Sequence, residues 1–162
     1  AGMTRQWQGA ELARAISGKL PDAIVEARGG VVEVKSAALL DVARLLREGP
    51  GLEFDFLSSV TGVDYIDFFE VVYHLASITL NHSCIVKVRV LGRDEPVIPS
   101  VFSVWQGADL QEREVYDLFG IRFEGHPNMK RIMLWEGFPG HPLRKDFVLE
   151  REKVEYPYLT GS

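Results

Sequence analysis

Cysteine is almost missing from this chain: Cys84 is the single one among 162 residues. That excludes an internal disulfide, and it excludes any all-cysteine metal site or iron–sulfur cluster built from this chain alone. Long apolar runs are missing too. A membrane-spanning helix needs roughly 20 mostly apolar residues, whereas the longest apolar stretches, near residues 71–80 and 85–91, are short and interrupted by His74, Lys87 and Arg89. Membrane association is therefore expected only through partners. A basic excess is absent as well, and the formal net charge of −5 argues against a nucleic-acid binder. The phosphate loop GxxxxGK(S/T), the dinucleotide fingerprint GxGxxG, the zincin pattern HExxH and the nucleophile elbow GxSxG do not occur. No catalytic, cofactor-binding or metal-binding residue is assigned.

What is present is enough for one globular domain with a buried core, since 46% of residues are hydrophobic and 25% charged. The first Met is at position 3, so Ala1 and Gly2 are set aside in the fold reading; no secretory signal follows, and a reducing cytoplasm is the simplest compartment. Leu12, Ala15 and Ile16 recur at helical spacing before Gly18 and Pro21. Residues 23–27 and 31–35 flank Gly29-Gly30 and read as a hairpin. Ser36 is placed to cap a second helix with Leu39, Val42, Ala43 and Leu46 on one face, ended by Gly49-Pro50-Gly51. Phe54 and Phe56 alternate with Glu53 and Asp55 as in a strand. Residues 68–80 are rich in aromatic and β-branched types, and Cys84, Val86, Val88 and Val90 alternate with Lys87 and Arg89, with Asn81-His82 as the intervening turn. A third helix is expected over about 108–119, anchored by Leu110, Val115, Leu118 and Phe119 and stopped by Gly120. The fold class is thus α+β, a mainly antiparallel sheet with about three helices.

After Gly120 the pattern changes. Gly125, Pro127, Gly137, Pro139, Gly140 and Pro142 are too frequent for long regular elements. Yet Phe123, Ile132, Met133, Leu134, Trp135, Phe138, Leu143 and Phe147 are too many apolar residues for a solvated linker. The chain is divided accordingly into a globular domain, 3–120, and an extended partner-binding tail, 121–162, that is not an independent domain. From Arg122 to Arg151 the chain carries six Lys/Arg against four Asp/Glu, a local +2 against −7 for the remainder.

The densest polar constellation is Glu112-Arg113-Glu114-Val115-Tyr116-Asp117, followed by His126 and His141. On a helix Glu114 and Asp117 share a face, and with the two histidines they offer a metal-dependent or acid–base reading. The favoured reading is structural: Arg113 and Asp117, four apart, can pair, and the acids can anchor the Arg-rich tail. In Gly125-His126-Pro127 and Gly140-His141-Pro142 a permissive Gly and a stiff Pro hold each His on a bend, within reach of a backbone or carboxylate partner. His74 reads as a sheet residue, His82 as a turn residue and Cys84 as a buried small hydrophobe. Arg144-Lys145-Asp146, between Leu143 and Phe147, reads as an interface strip with apolar anchors and register-fixing charges.

These residues also carry a resemblance. The run Glu112-Arg113-Glu114-Val115-Tyr116-Asp117-Leu118-Phe119-Gly120-Ile121-Arg122-Phe123-Glu124-Gly125-His126-Pro127, then Lys130-Arg131-Ile132, then Gly140-His141-Pro142-Leu143-Arg144-Lys145-Asp146-Phe147, resembles the thirty-kilodalton hydrophilic subunit of complex I, the C subunit of bacterial NADH:quinone oxidoreductase. Thr61-Gly62-Val63-Asp64-Tyr65 and Phe69-Glu70-Val71-Val72-Tyr73-His74-Leu75 resemble it too. Leu110 stands where the family usually has Trp, Met129 where it has Leu, Val148 where it has Pro, and Ile66 where a Pro is common.

The resemblance implies a peripheral-arm subunit without a redox centre of its own, with FMN, iron–sulfur clusters and quinone on partner subunits. It implies a brace for the large quinone-pocket subunit (the 49 kDa, or D, subunit) on the cytoplasmic face of the bacterial membrane, inactive in isolation. Its partner-facing signature would be Glu112, Arg113, Glu114, Asp117, Gly125, His126, Pro127, Arg131 and Gly140 through Phe147. The alternatives are the equivalent subunit of a related membrane-bound hydrogenase or quinone-type oxidoreductase, and a free-standing metal-dependent enzyme using Glu114, Asp117, His126 and His141.

Overall fold

In a computed structural model, residues 4–134 and 137–147 are described. Trp135, Val148 and the remainder of the expected tail lie outside them. The elements run β1 (Arg5–Gln6), α1 (Gly9–Ser17), β2 (Ile24–Arg28), β3 (Val31–Val34), a 3-10 turn (Ser36–Ala38), α2 (Leu39–Glu48), β4 (Phe56–Asp64), β5 (Phe69–Ser77), β6 (His82–Val90), β7 (Val97–Pro99), α3 (Ala108–Phe119) and β8 (Arg122–Glu124). The sheet order is β2-β3-β6-β5-β4, with β1 also paired to β6. The pairs β2–β3, β4–β5 and β5–β6 are antiparallel, while β1 and β3 run parallel to β6. This is the expected α+β class with a mainly antiparallel sheet and three helices.

The alternation in β5 and β6 sorts their side chains. Val71, Tyr73, Leu75, Cys84, Val86 and Val88 enter the core with Leu12, Ile16, Val42, Ala43 and Leu46 from the first two helices. The intervening positions bear charge: Lys87 pairs with Glu70 at 3.5 Å and Arg89 with Glu33 at 3.7 Å. Burial pushes the Cys84 thiol up, so it is a poor nucleophile. Maleimide is expected to leave Cys84 unmodified in the folded chain and to label it in denaturant; rapid native labelling would contradict the packing.

Several local expectations are corrected. Ser36 opens the 3-10 turn and caps nothing, because Ala38 precedes α2 and no side chain caps it. Phe54 and Phe56 do not share a face: Phe54 is buried before the strand begins, whereas Phe56 is exposed and Leu57 turns inward ahead of a register shift. The turn between β5 and β6 precedes His82, which is a buried strand residue. Its Nε2–H donates to the Leu52 carbonyl at 2.6 Å, and its ring packs 4.7 Å from that of Phe54. Leu110 is 52% exposed and anchors nothing; Ala108, Glu112, Val115, Asp117 and Phe119 form the inner face of α3.

Two contacts fix α3 and hence the course of the chain beyond it. Gly62 on β4 lets the Phe119 ring close in, for a Cβ there would stand 2.8 Å from it. Gln111 Oε1 accepts the Val60 N–H at 2.7 Å. After α3 the chain forms β8, which pairs in parallel with β7, Ile98 opposite Phe123, as a two-stranded ribbon.

Candidate partner interface

An α-helix leaves its last four carbonyls without intrahelical partners. In α3 these belong to Tyr116, Asp117, Leu118 and Phe119, and the segment from Gly120 to Arg144 supplies a donor for each. Gly120 N–H donates to Tyr116 O at 2.8 Å, Arg131 Nη2 and His141 Nδ1 to Asp117 O at 2.9 Å each, Leu143 N–H to Leu118 O at 2.9 Å, and Arg144 Nε to Phe119 O at 2.5 Å. The described part of the tail is thus a strap that caps the helix. Gly120 makes room for it: its φ is +78°, and a Cβ there would lie 2.6 Å from His141 Cδ2 and 2.8 Å from Arg144 Nη2.

The strap is held at two carboxylates of the globular body. Asp117 is fully buried near the C-terminal end of α3, where the helix dipole disfavours an anion. Its Oδ1 pairs with Arg131 Nε, and its Oδ2 accepts three successive backbone N–H groups, Ile132 at 3.2 Å, Met133 at 2.7 Å and Leu134 at 2.9 Å. Burial opposes ionisation, but the three amides and the guanidinium outweigh it and hold the Asp117 carboxyl below its ordinary range. Asp64, at the end of β4, accepts from Arg93 Nη1 and Nη2 at 2.6 and 3.0 Å and from the Lys145 N–H at 2.8 Å. Arg93 chiefly, with the Lys145 and Ile66 amides, keeps the Asp64 carboxyl well below the usual range against the effect of burial. Arg93 also reaches Asp146 at 3.2 Å. Between these anchors Arg131 donates to the carbonyls of Phe138 and Gly140, both at 2.6 Å, and Phe138 stacks on Phe147.

The residues that the sequence singles out take up different positions around this strap. Arg131, Gly140, His141, Leu143, Arg144, Lys145, Asp146 and Phe147 belong to it, with Pro142 beside them. Arg113 does not pair with Asp117; it donates to the carbonyls of Lys130 and Arg131, and Asp117 takes Arg131 because that guanidinium arrives from the side on which Asp117 is buried. Glu112 does not anchor the tail either. It is buried against Ser100 and Val101. Gly125 and Pro127 frame the turn of His126, whose Nε2 donates to the Asp109 carbonyl at 3.1 Å while Nδ1 accepts the Asn128 N–H at 2.9 Å.

The residues of the metal-dependent alternative are not gathered. Glu114 is exposed. His126 sits on Asp109 and His141 on Asp117, eight residues or roughly 12 Å apart along the helix. Burial, with Arg131 and Arg144 adding to it, pushes the His141 pKa down and favours the neutral ring.

Asp64 stands in the run from Thr61 to Tyr65 that carries the resemblance, but neither its spacing nor that of Arg93 marks the two as the hold on the strap. Ile66, where the family resemblance leads one to expect Pro, has φ +74° and gives its N–H to Asp64 Oδ1 at 2.7 Å. Proline can do neither, so the hairpin tip as it stands excludes proline at position 66.

The protein is thus an α+β body with its own core and a strap that caps one of its helices. The family model described as the 30 Kd subunit of respiratory-chain NADH dehydrogenase matches residues 32–153, and the chain belongs to that family. Among its relatives, the C subunit of the NADH-quinone oxidoreductase of Roseiflexus castenholzii is 45% identical, covering 86% of this chain and 83% of the relative. The C 2 subunit of the NADH-quinone oxidoreductase of Rhizobium meliloti is 44% identical over 81% and 79%. The fold is also similar to a chain of the membrane-bound sulfane sulfur reductase, an archaeal respiratory membrane complex, at TM-score 0.70 and 29% identity over 89% of this chain and 88% of that one. No helix among the described residues is long and apolar enough to cross a membrane.

Proposed function

We propose that this chain is a redox-inert scaffold subunit of an NADH:quinone oxidoreductase, whose strap braces the large quinone-pocket subunit on the cytoplasmic face of the membrane. FMN, iron–sulfur clusters and quinone are carried by the partner subunits, and the isolated chain has no activity. One observation supports this most directly. The strap's Arg131, His141 and Arg144 are engaged inward on the end of α3, while its apolar Ile132, Met133 and Leu143 remain 37%, 56% and 53% exposed. A strap that turns those three cationic or ring groups inward and these apolar side chains outward suits a partner surface better than water.

The test is copurification from native membranes with Met133→Asp/Leu143→Asp in place of the wild type. The variant chain is expected to fold and to lose the large subunit by at least about tenfold, roughly the 1.4 kcal/mol that one well-packed interface anchor supplies. NADH:quinone activity of the membranes should fall with it. Unimpaired binding, or full activity in membranes lacking the chain, would sink the reading.

The similarity to the sulfane sulfur reductase chain supports a second reading, the equivalent subunit of a related membrane-bound hydrogenase or other oxidoreductase. Identification of the copurifying chains separates them: NADH-binding subunits for the first, a nickel-site large subunit for a hydrogenase.

A further inference from the structure

Glu112 is fully buried, and its contacts are two neutral groups of one segment. Ser100 Oγ lies 2.5 Å from Oε1, and the Val101 N–H donates to Oε2 at 2.9 Å. Among the described residues no Lys, Arg or His forms an ion pair with it. The charged neighbour on its own helix is Asp109, one turn back, which repels a second negative charge. From β5 the group that senses it is the Tyr73 hydroxyl, itself buried without a hydrogen-bond partner. A carboxylate in such a place lacks a counter-charge, and the interior penalises it heavily.

A neutral acid suits the same geometry. Its carbonyl oxygen accepts from Val101, and its hydroxyl donates to Ser100 Oγ, which also accepts the Phe102 N–H at 3.1 Å. We infer that Glu112 is a proton-dependent lock between α3 and the β7–β8 ribbon, closed while the carboxyl carries its proton and loosened when it ionises.

The segment that would have to yield is the one Glu112 holds. Ser100 follows β7 directly, and its N–H donates to Glu124 O of β8 at 2.8 Å. β8 in turn leads into the turn of His126 and the strap. Burial moves Glu112 up to about 7, so the lock works near neutral pH. The sign comes from linkage. A carboxyl whose folded pKa exceeds its unfolded value binds more protons in the folded state, so its contribution is present at low pH and is lost as pH rises toward the folded pKa. His141 titrates in an overlapping window with the opposite sign, because a depressed folded pKa withdraws stability as pH falls. The difference between wild-type and Glu112→Gln curves removes that contribution.

Thermal unfolding of the full chain is to be measured from pH 5 to pH 8 for the wild type and Glu112→Gln. The wild-type midpoint is expected to drop, relative to the variant, by on the order of 5–10 °C across that range. In infrared difference spectra the wild type should lose a carboxylic-acid C=O band near neutrality, a band missing from the variant. Parallel midpoint curves, or a wild-type spectrum with no such band at pH 5, would overturn the inference. Should the Gln variant fail to fold, Ser100→Ala serves instead. Ser100 Oγ is in direct contact with Oε1, so loss of that hydroxyl must shift the infrared titration away from the wild-type position, and an unmoved titration counts against the lock.

Discussion

Asp117→Ala is expected to release the strap. The substitution leaves Arg131 without its carboxylate and three amides without their acceptor, and breaking a buried pair from one side costs about 3–5 kcal/mol. Part of this will not register in global unfolding, since a strap that opens by itself limits the loss to its own free energy of opening. Amide exchange reads the local event directly. Protection of Met133 and Leu134 should fall at least about a hundredfold, and trypsin should cut after Lys130 and Arg131 while the sheet stays protected. Unchanged protection would mean that the strap is held elsewhere. The same anchors predict acid release. Because Asp117 and Asp64 have depressed pKa values, the stability they add is present above the unfolded carboxylate range and is lost as pH falls below about 4.

Gly120→Ala should be nearly as damaging for a different reason. An alanine at φ +78° costs about 1 kcal/mol of backbone strain. Its Cβ would also displace His141 or Arg144 from the carbonyls they cap, adding about 1–3 kcal/mol. Gly92 separates the two effects. It has φ +86° with nothing within 4 Å of a Cβ, so Gly92→Ala carries the strain alone. Urea unfolding should therefore place Gly120→Ala clearly below Gly92→Ala. Equal losses would show that the strap does not press on Gly120.

Which of these features the sequence discloses depends on distance along the chain. The bounds of α3 and its stop at Gly120 are local and can be read, as can the alternation of Cys84, Val86, Val88 and Val90. The family can be read because its signature is contiguous. The β7–β8 ribbon cannot, for three residues at each side carry no period and the partners stand 25 positions apart, Ile98 opposite Phe123. Arg113 is the obvious partner for Asp117 by helical spacing, but helix geometry does not reveal that the acid points inward and meets Arg131. Glu112 misleads in the same way: a charged residue within a charged run looks solvated, and only packing against Ser100 shows otherwise.

The tie between Asp64 and Lys145 joins positions 81 apart. Such a tie pays its loop-closure entropy late, after β4 to β6 have formed the surface it needs. During synthesis, too, residue 145 emerges when the rest of the sheet is already available. Among the described residues the strap is therefore the last part to find its place and the first able to leave it, so a partner that grips it selects subunits whose folding is already finished.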